Sequence, residues 1–284
     1  MSQPGSRSLI LAAVLAILVY GMISPMLGTL LPGFHFTPEQ SADVAFAQAL
    51  GLIAASLCAG PLIDLRGKKT ALLAGLGMAV LALSLLPLSG GCRSAMALMG
   101  LLGLGGGAIV TGANALAGDV NVAQRASTLN LLNVFFGLGG LLTPFIAARL
   151  FAGNAISLCY LVAGLAGLTF VAHVFTPMPA PGGERGFKLS DALVLAGQPA
   201  LYLLALLLFL YVACEVGVWN WLAKHLTAQG VAESDALTIL SLGFALGLLV
   251  GRLVVSRLLI RIPALRVTLH ASILIAVTTY LAIE

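Results

Sequence analysis

Few residues in this sequence can do chemistry, and their positions limit what that chemistry is. Of the ten acids, Glu215 alone falls deep inside an apolar stretch, Leu210-Tyr211-Val212-Ala213-Cys214-Glu215-Val216-Gly217-Val218-Trp219-Asn220-Trp221-Leu222. A charged side chain in such a place costs roughly 2.5–3.5 kcal/mol on insertion scales if lipid surrounds it. Two readings of Glu215 follow: a hydrogen-bonded acid between helices, or a cavity acid that binds a solute and loads and releases a proton. The other candidate side chains within apolar runs are Asn114, Asn130, Asn133 and Asn220, with Tyr20 and Trp219 as aromatic candidates. Amides and carboxylates hydrogen-bond the hydroxyls of a sugar, while aromatic faces pack on its apolar patches. Asn130 and Asn133 stand three apart and share a helix face, pointing either at a cavity or at a neighbouring helix. Trp219 and Trp221, near the end of their run, have interfacial anchoring as the competing role. For Tyr20 the competing role is core packing.

Other chemistries find no support in the sequence. Cys58, Cys92, Cys159 and Cys214 form no CxxC pair and lie in or beside apolar runs, so they read as small packing residues. His35, His173, His225 and His270 are scattered, which gives no metal site, and no cofactor motif or catalytic elbow is present. The sequence therefore reads as a non-enzyme without metal or cofactor. Lys and Arg number 14 against 10 acids, but no long basic run interleaved with aromatics suggests nucleic acid.

The elements that must position these residues follow from composition. The chain has 284 residues, 60% hydrophobic and only 8% charged, with a mean hydropathy of +1.08. Soluble domains carry about 25% charged residues, so this chain cannot cover a surface facing water. Disorder requires the opposite composition. Lipid is the solvent the sequence demands.

A membrane-spanning helix needs roughly 20 mostly apolar residues. Such runs occupy 9–31, 43–64, 70–88, 95–118, 128–151, 155–176, 199–222, 236–258 and 267–283. The first is too long for the apolar core of a signal peptide and is kept as a span. The Pro/Gly-rich stretch 177–198 reads as a linker. With the N-terminus in the cytoplasm, Arg7, Arg66, Lys68, Lys69, Arg125, Arg185, Lys188, Arg252, Arg257, Arg261 and Arg266 fall inside, against Arg93, Arg149 and Lys224 outside. That is a positive-inside pattern. Within it, Asp119 is expected to pair locally with Arg125, and Arg252 to snorkel toward the inner interface.

The two parts of the chain echo each other. Gly51, Ala55 and Ala59 in the second run match Gly243, Gly247 and Gly251 in the eighth, both at four-residue spacing that allows close helix approach. Ordinary packing would give the same rhythm. An offset of roughly 190 residues, if a true repeat, implies two six-span halves and roughly 380 residues, so that the sequence stops three spans short. The expectation is a fragment or a truncated reading frame that inserts but does not transport by itself.

Between the second and third runs stands Gly60-Pro61-Leu62-Ile63-Asp64-Leu65-Arg66-Gly67-Lys68-Lys69. It resembles the signature loop of the major facilitator superfamily in Gly60, Asp64, Gly67, Lys68 and Lys69, and departs at Leu65, with Arg66 one place late. Gly67 permits a tight reversal, and Asp64 can meet a helix N-terminus or a cation at the membrane edge. The resemblance implies a gating latch whose acid faces the start of an eleventh span, which this sequence lacks. The competing reading is a basic loop that only sets topology.

Further segments resemble the fucose–proton symporter family and related bacterial sugar permeases. These are Gly105-Gly106-Gly107-Ala108-Ile109-Val110-Thr111-Gly112-Ala113-Asn114-Ala115-Leu116, Leu129-Asn130-Leu131-Leu132-Asn133-Val134-Phe135-Phe136-Gly137-Leu138-Gly139, the Glu215 run, and Gly251-Arg252. Where that family carries acids inside helices 1 and 4, this sequence reads Gly28 and Val110, which leaves Glu215 as the proton-coupling candidate.

The resemblance implies an all-α membrane protein of the major facilitator fold with about nine of twelve transmembrane helices. Its parts would be a six-helix bundle over 1–176, a cytoplasmic linker over 177–198 and an incomplete second bundle over 199–284. The implied function is secondary transport of a sugar or similar small polar solute by alternating access, with protons as a possible partner. The expected location is the inner (plasma) membrane, multi-pass, with Tyr20, Asn114, Asn130, Asn133, Glu215, Trp219 and Asn220 binding substrate. A drug–proton antiporter of the same superfamily is the alternative, weakened because the fourth run has no interior Arg and Pro144 follows Thr143 rather than Gly. A non-transporting membrane scaffold is the third reading.

Overall fold

The computed structural model describes residues 4–120, 125–179, 197–258 and 262–283. The apolar runs become helices: α1 (Pro4–Ile23), α2 (Met26–Phe34), α3 (Pro38–Arg66), α4 (Lys68–Leu85), α5 (Cys92–Val120), α6 (Arg125–Arg149), α7 (Ala155–Phe175) and α8 (Pro199–Ala228). A short α9 (Glu233–Thr238) continues through a π-helical stretch, Ile239–Ala245, into α10 (Leu246–Leu258), and α11 is Ala264–Ile283. Eight helical segments among the described residues are long and apolar enough to cross a membrane; the ninth run forms α11, whose apolar part, Leu265–Thr278, is shorter.

Local chemistry sets the ends of these helices. Pro25 separates α1 from α2 within one span, and Thr29 closes the break by donating its hydroxyl to the Pro25 carbonyl at 2.8 Å. Thr37 and Gln40 form a reciprocal capping box ahead of Pro38. Asn154 caps α7 by accepting from the Ser157 amide at 3.0 Å. Gly67 joins α3 to α4 with φ +85°, a backbone region that side chains other than hydrogen disfavour.

The turn at Gly67 marks one side of the bundle, here the loop side; the ends of α2 and α8 mark the far side. α5 lies at the centre of the first bundle, in contact with α1, α3 and α4, while α4 and α1 also touch α7. Without water to drive association, helices in lipid rely on close packing and buried hydrogen bonds. A Cβ on Gly51 would collide with the Gly100 carbonyl, and one on Gly103 with that of Gln48, so α3 and α5 approach to backbone distance. Thr143 of α6 donates to the Met22 carbonyl of α1 at 2.9 Å. The matching small residues of the second part behave differently. Nothing crowds Gly247 or Gly251, which line a cavity.

α8, α9 and α10 dock on this bundle through α2 and α6. The apolar side chains of α8 from Leu201 to Val212 remain exposed, on surface that water would reject. The expected linker 177–198, with Arg185 and Lys188, lies mostly outside the described residues, as does Arg261. The cysteines correct an expectation: Cys159 is buried, but Cys58 and Cys214 are exposed. A weakly polar thiol loses little by facing lipid, so apolar sequence surroundings do not imply burial.

Candidate functional site

α8 carries Glu215 at mid-helix, and α10 brings Arg252 against it. Nη2 of Arg252 donates to Oε1 at 3.1 Å and to Oε2 at 3.4 Å. The Glu215 side chain is 12% exposed and that of Arg252 31%. This corrects the expectation that Arg252 snorkels to the interface. An isolated charge inside the span is costly, and helix packing offers Arg252 a carboxylate closer than the headgroups.

The pair sits within a chain of aromatic contacts. The Arg252 guanidinium lies 5.6 Å from the centre of the Phe136 ring, a cation–π arrangement. Phe136 in turn packs against Tyr20 at 5.4 Å and 33°. Tyr211, one turn before Glu215 on α8, lines the cavity beside the pair together with Arg252. Residues from α1, α6, α8 and α10 thus converge on one point.

Beside them opens a cavity of about 780 Å³, lined by Asn130, Asn133, Tyr211, Phe244 and Arg252 together with Gly243, Gly247 and Gly251. Both amides stand exposed on the α6 face that looks into it. Asn114 shares a smaller cavity, about 430 Å³, with Asn133. The structure therefore brings Asn114, Asn130, Asn133 and Glu215 to one connected region.

Trp219 and Asn220 sit elsewhere. Both are buried at the far-side contact between α2 and α8, Trp219 to 5% exposure, which corrects interfacial anchoring for that residue. A Cβ on Gly28 would collide with the Trp219 carbonyl, so α8 closes on α2 with no room for an acid at that position. The Trp219 ring meets Phe244 edge-on at 5.1 Å, and Ser241 of the π-helical stretch donates to the Leu141 carbonyl at 2.8 Å. Lys224 completes the closure by donating to the Phe36 carbonyl at 3.1 Å and to the Ser41 hydroxyl. With Tyr20, Gln48 and Trp221, Trp219 and Asn220 also border a mostly apolar cavity of about 690 Å³ on the other face of α8.

On the loop side, Lys68 pairs with Asp119 at the end of α5. The side chain of the partner expected from the sequence, Arg125, lies outside the described residues. Lys68 opens α4 directly beside the end of α5, and a cross-helix partner so placed needs no loop to fold back. Lys69 donates to the carbonyls of Val174 (2.7 Å) and Thr176 (3.1 Å), capping the C-terminal end of α7. Asp64 and Arg66 are exposed, Gly60 has open space around it, and Asp64 has no ion-pair partner among the described residues.

Sequence reasoning missed Phe136, Tyr211 and the true role of Arg252. Their signals were present: Tyr211 precedes Glu215 by one helical turn, and Phe136 follows Asn133 by three residues on the same face.

Comparisons with known proteins agree with this architecture. The chain is 23% identical over 276 residues to Bypass of stop codon protein 6 of Saccharomyces cerevisiae, covering 86% of this chain and 55% of that protein. It superposes with a TM-score of 0.53, at 16% identity, on a structure solved for substrate recognition in proton dependent oligopeptide transporters, covering 82% of this chain and 50% of that one. The chain thus spans about half the length of each. A model of the Major Facilitator Superfamily matches residues 9–283, nearly the whole sequence. This match establishes that the chain belongs to the major facilitator superfamily.

Proposed function

We propose that this chain forms part of a secondary transporter that moves a sugar or similar small polar solute by alternating access, coupled to protons through Glu215. The observation that carries the reading is the Glu215–Arg252 pair at the edge of a cavity lined by Asn130 and Asn133. A charged pair and two amides in a membrane span have a reason to persist where a polar solute replaces water contacts. The geometry favours alternating access. Contacts at Gly28, Lys224 and Ser241 join the bundles toward the far side and the middle, and Asn114 and Asn133 open from the middle toward the loop side.

Substrate would bind through Asn114, Asn130, Asn133 and Glu215, with Tyr20 shaping the wall behind Phe136 and with Trp219 and Asn220 holding the closed end. The loop Gly60, Asp64, Arg66, Gly67, Lys68 and Lys69 acts as the gate, with Asp64 free to latch a second bundle. The positive-inside pattern supports a cytoplasmic N-terminus and a cytoplasmic loop, in a protein of the inner (plasma) membrane. The resemblance of its segments to the fucose–proton symporter family supports a sugar as the solute. Uptake of labelled sugars by cells expressing the native gene tests this. Accumulation above equilibrium that collapses with a protonophore is expected; equilibration unaffected by the proton gradient would reject coupling, and export of hydrophobic cations would favour a drug antiporter.

A further inference from the structure

The cavity cation is held in a way that leaves it open to a second anion. Only Nη2 of Arg252 serves both oxygens of Glu215, at 3.1 and 3.4 Å. This is not the two-nitrogen fork by which a guanidinium best holds a carboxylate. The Arg252 side chain stays 31% exposed, lines the 780 Å³ cavity and lies over the Phe136 ring. Asn130 and Asn133, on the same wall, supply donors and acceptors for neutral hydroxyl groups.

We propose that the solute carries a carboxylate, as a sugar acid or a hydroxy acid does, and that this carboxylate takes Arg252 from Glu215. The inference rests on the solute-binding reading of the cavity and narrows it to one charge class. The step is an exchange of ion pairs. The Glu215–Arg252 contact breaks, a solute–Arg252 contact forms, and the freed Glu215, only 12% exposed, takes one proton from water. An unpartnered carboxylate at this depth is costly, so protonation follows displacement. The titratable and charged groups facing Glu215 are Tyr20 from α1, Tyr211 on its own helix and Arg252 from α10. α6 contributes Asn133 and Phe136 on the neighbouring wall, which do not titrate. No second cation among these replaces Arg252, so an anion and a proton travel together without net charge.

The test is calorimetric titration of the purified chain in detergent with D-glucose and D-glucuronate, which share a ring and differ in one carboxylate. Buffers of different ionisation enthalpy count the protons. Glucuronate should bind at least about tenfold tighter than glucose, and about one proton should be taken up per anion. Arg252→Gln should erase the preference, and Arg252→Lys should keep part of it, having charge without the fork. Glu215→Gln should bind glucuronate with no proton uptake. Equal binding of the two probes, or glucuronate binding without proton uptake in the unaltered chain, would overturn the carboxylate proposal and leave the polar-solute reading standing. Binding of neither would sink both.

Discussion

Glu215 and Arg252, 37 positions apart in sequence, meet at 3.1 Å between α8 and α10, and each is the other's charged partner. Their mutual dependence can be tested by removing them singly and together. Arg252→Gln leaves a carboxylate nearly enclosed in the span and should cost roughly 2–4 kcal/mol, somewhat below a fully buried pair because Arg252 is partly exposed. The double change Glu215→Gln with Arg252→Gln removes both charges and should recover most of that loss. Thermal unfolding of the three variants in one detergent provides the cycle. Additive losses would show that the two charges do not stabilise each other.

Glu215→Gln keeps shape and hydrogen-bonding capacity but cannot release a proton. If Glu215 couples protons as proposed, the variant of the complete protein should insert and fold, yet lose concentrative uptake. Transport assayed with and without an imposed proton gradient distinguishes the outcomes. Wild-type accumulation with unchanged pH dependence would remove Glu215 from the coupling step.

Asp64 stands exposed on the last turn of α3, beside the Gly67 reversal. If this acid latches a second bundle, Asp64→Asn in the complete protein should slow transport while substrate binding stays near the wild-type value. A loop that only sets topology would tolerate the change, because acids contribute little to orientation. Initial uptake rates set beside equilibrium binding decide between the two.

Gly28 lets α2 reach the backbone of α8 at Trp219. Gly28→Val should hold the far side apart and shift the population toward the open form. Spin labels at Glu39→Cys and Asp235→Cys, both exposed sites, would report this in a background whose native cysteines are replaced. A distance distribution moved outward is expected; an unchanged one would mean that this contact does not hold the closed side.

Thr37 caps α3 by accepting from the Gln40 amide at 3.2 Å. Thr37→Ala should destabilise the chain by about 1 kcal/mol, the usual value of an N-cap. A thermal unfolding shift of at most a few degrees, with the Lys224 contacts intact, is the expected result.

What the sequence determined by itself was everything that depends on counting residues along one helix. Runs of roughly 20 apolar residues must span a bilayer, because backbone polar groups find no partners in lipid except within a helix. The run 95–118 accordingly falls within α5, and 155–176 follows α7 to its C-cap at Thr176. Gly67 was legible for the same reason, since a one-residue link between helices demands a backbone that only glycine adopts readily. The shared face of Asn130 and Asn133 follows from helical periodicity, though periodicity does not say what that face looks at. Partners across helices were another matter. Asp119 could have met Arg125 or Lys68, and Arg252 could have reached headgroups or Glu215; both choices turn on which helices lie side by side and how far each slides along its neighbour. Those offsets are set by close packing at Gly51, Gly103 and Gly28 against backbones distant in sequence, so only the tertiary structure could decide them.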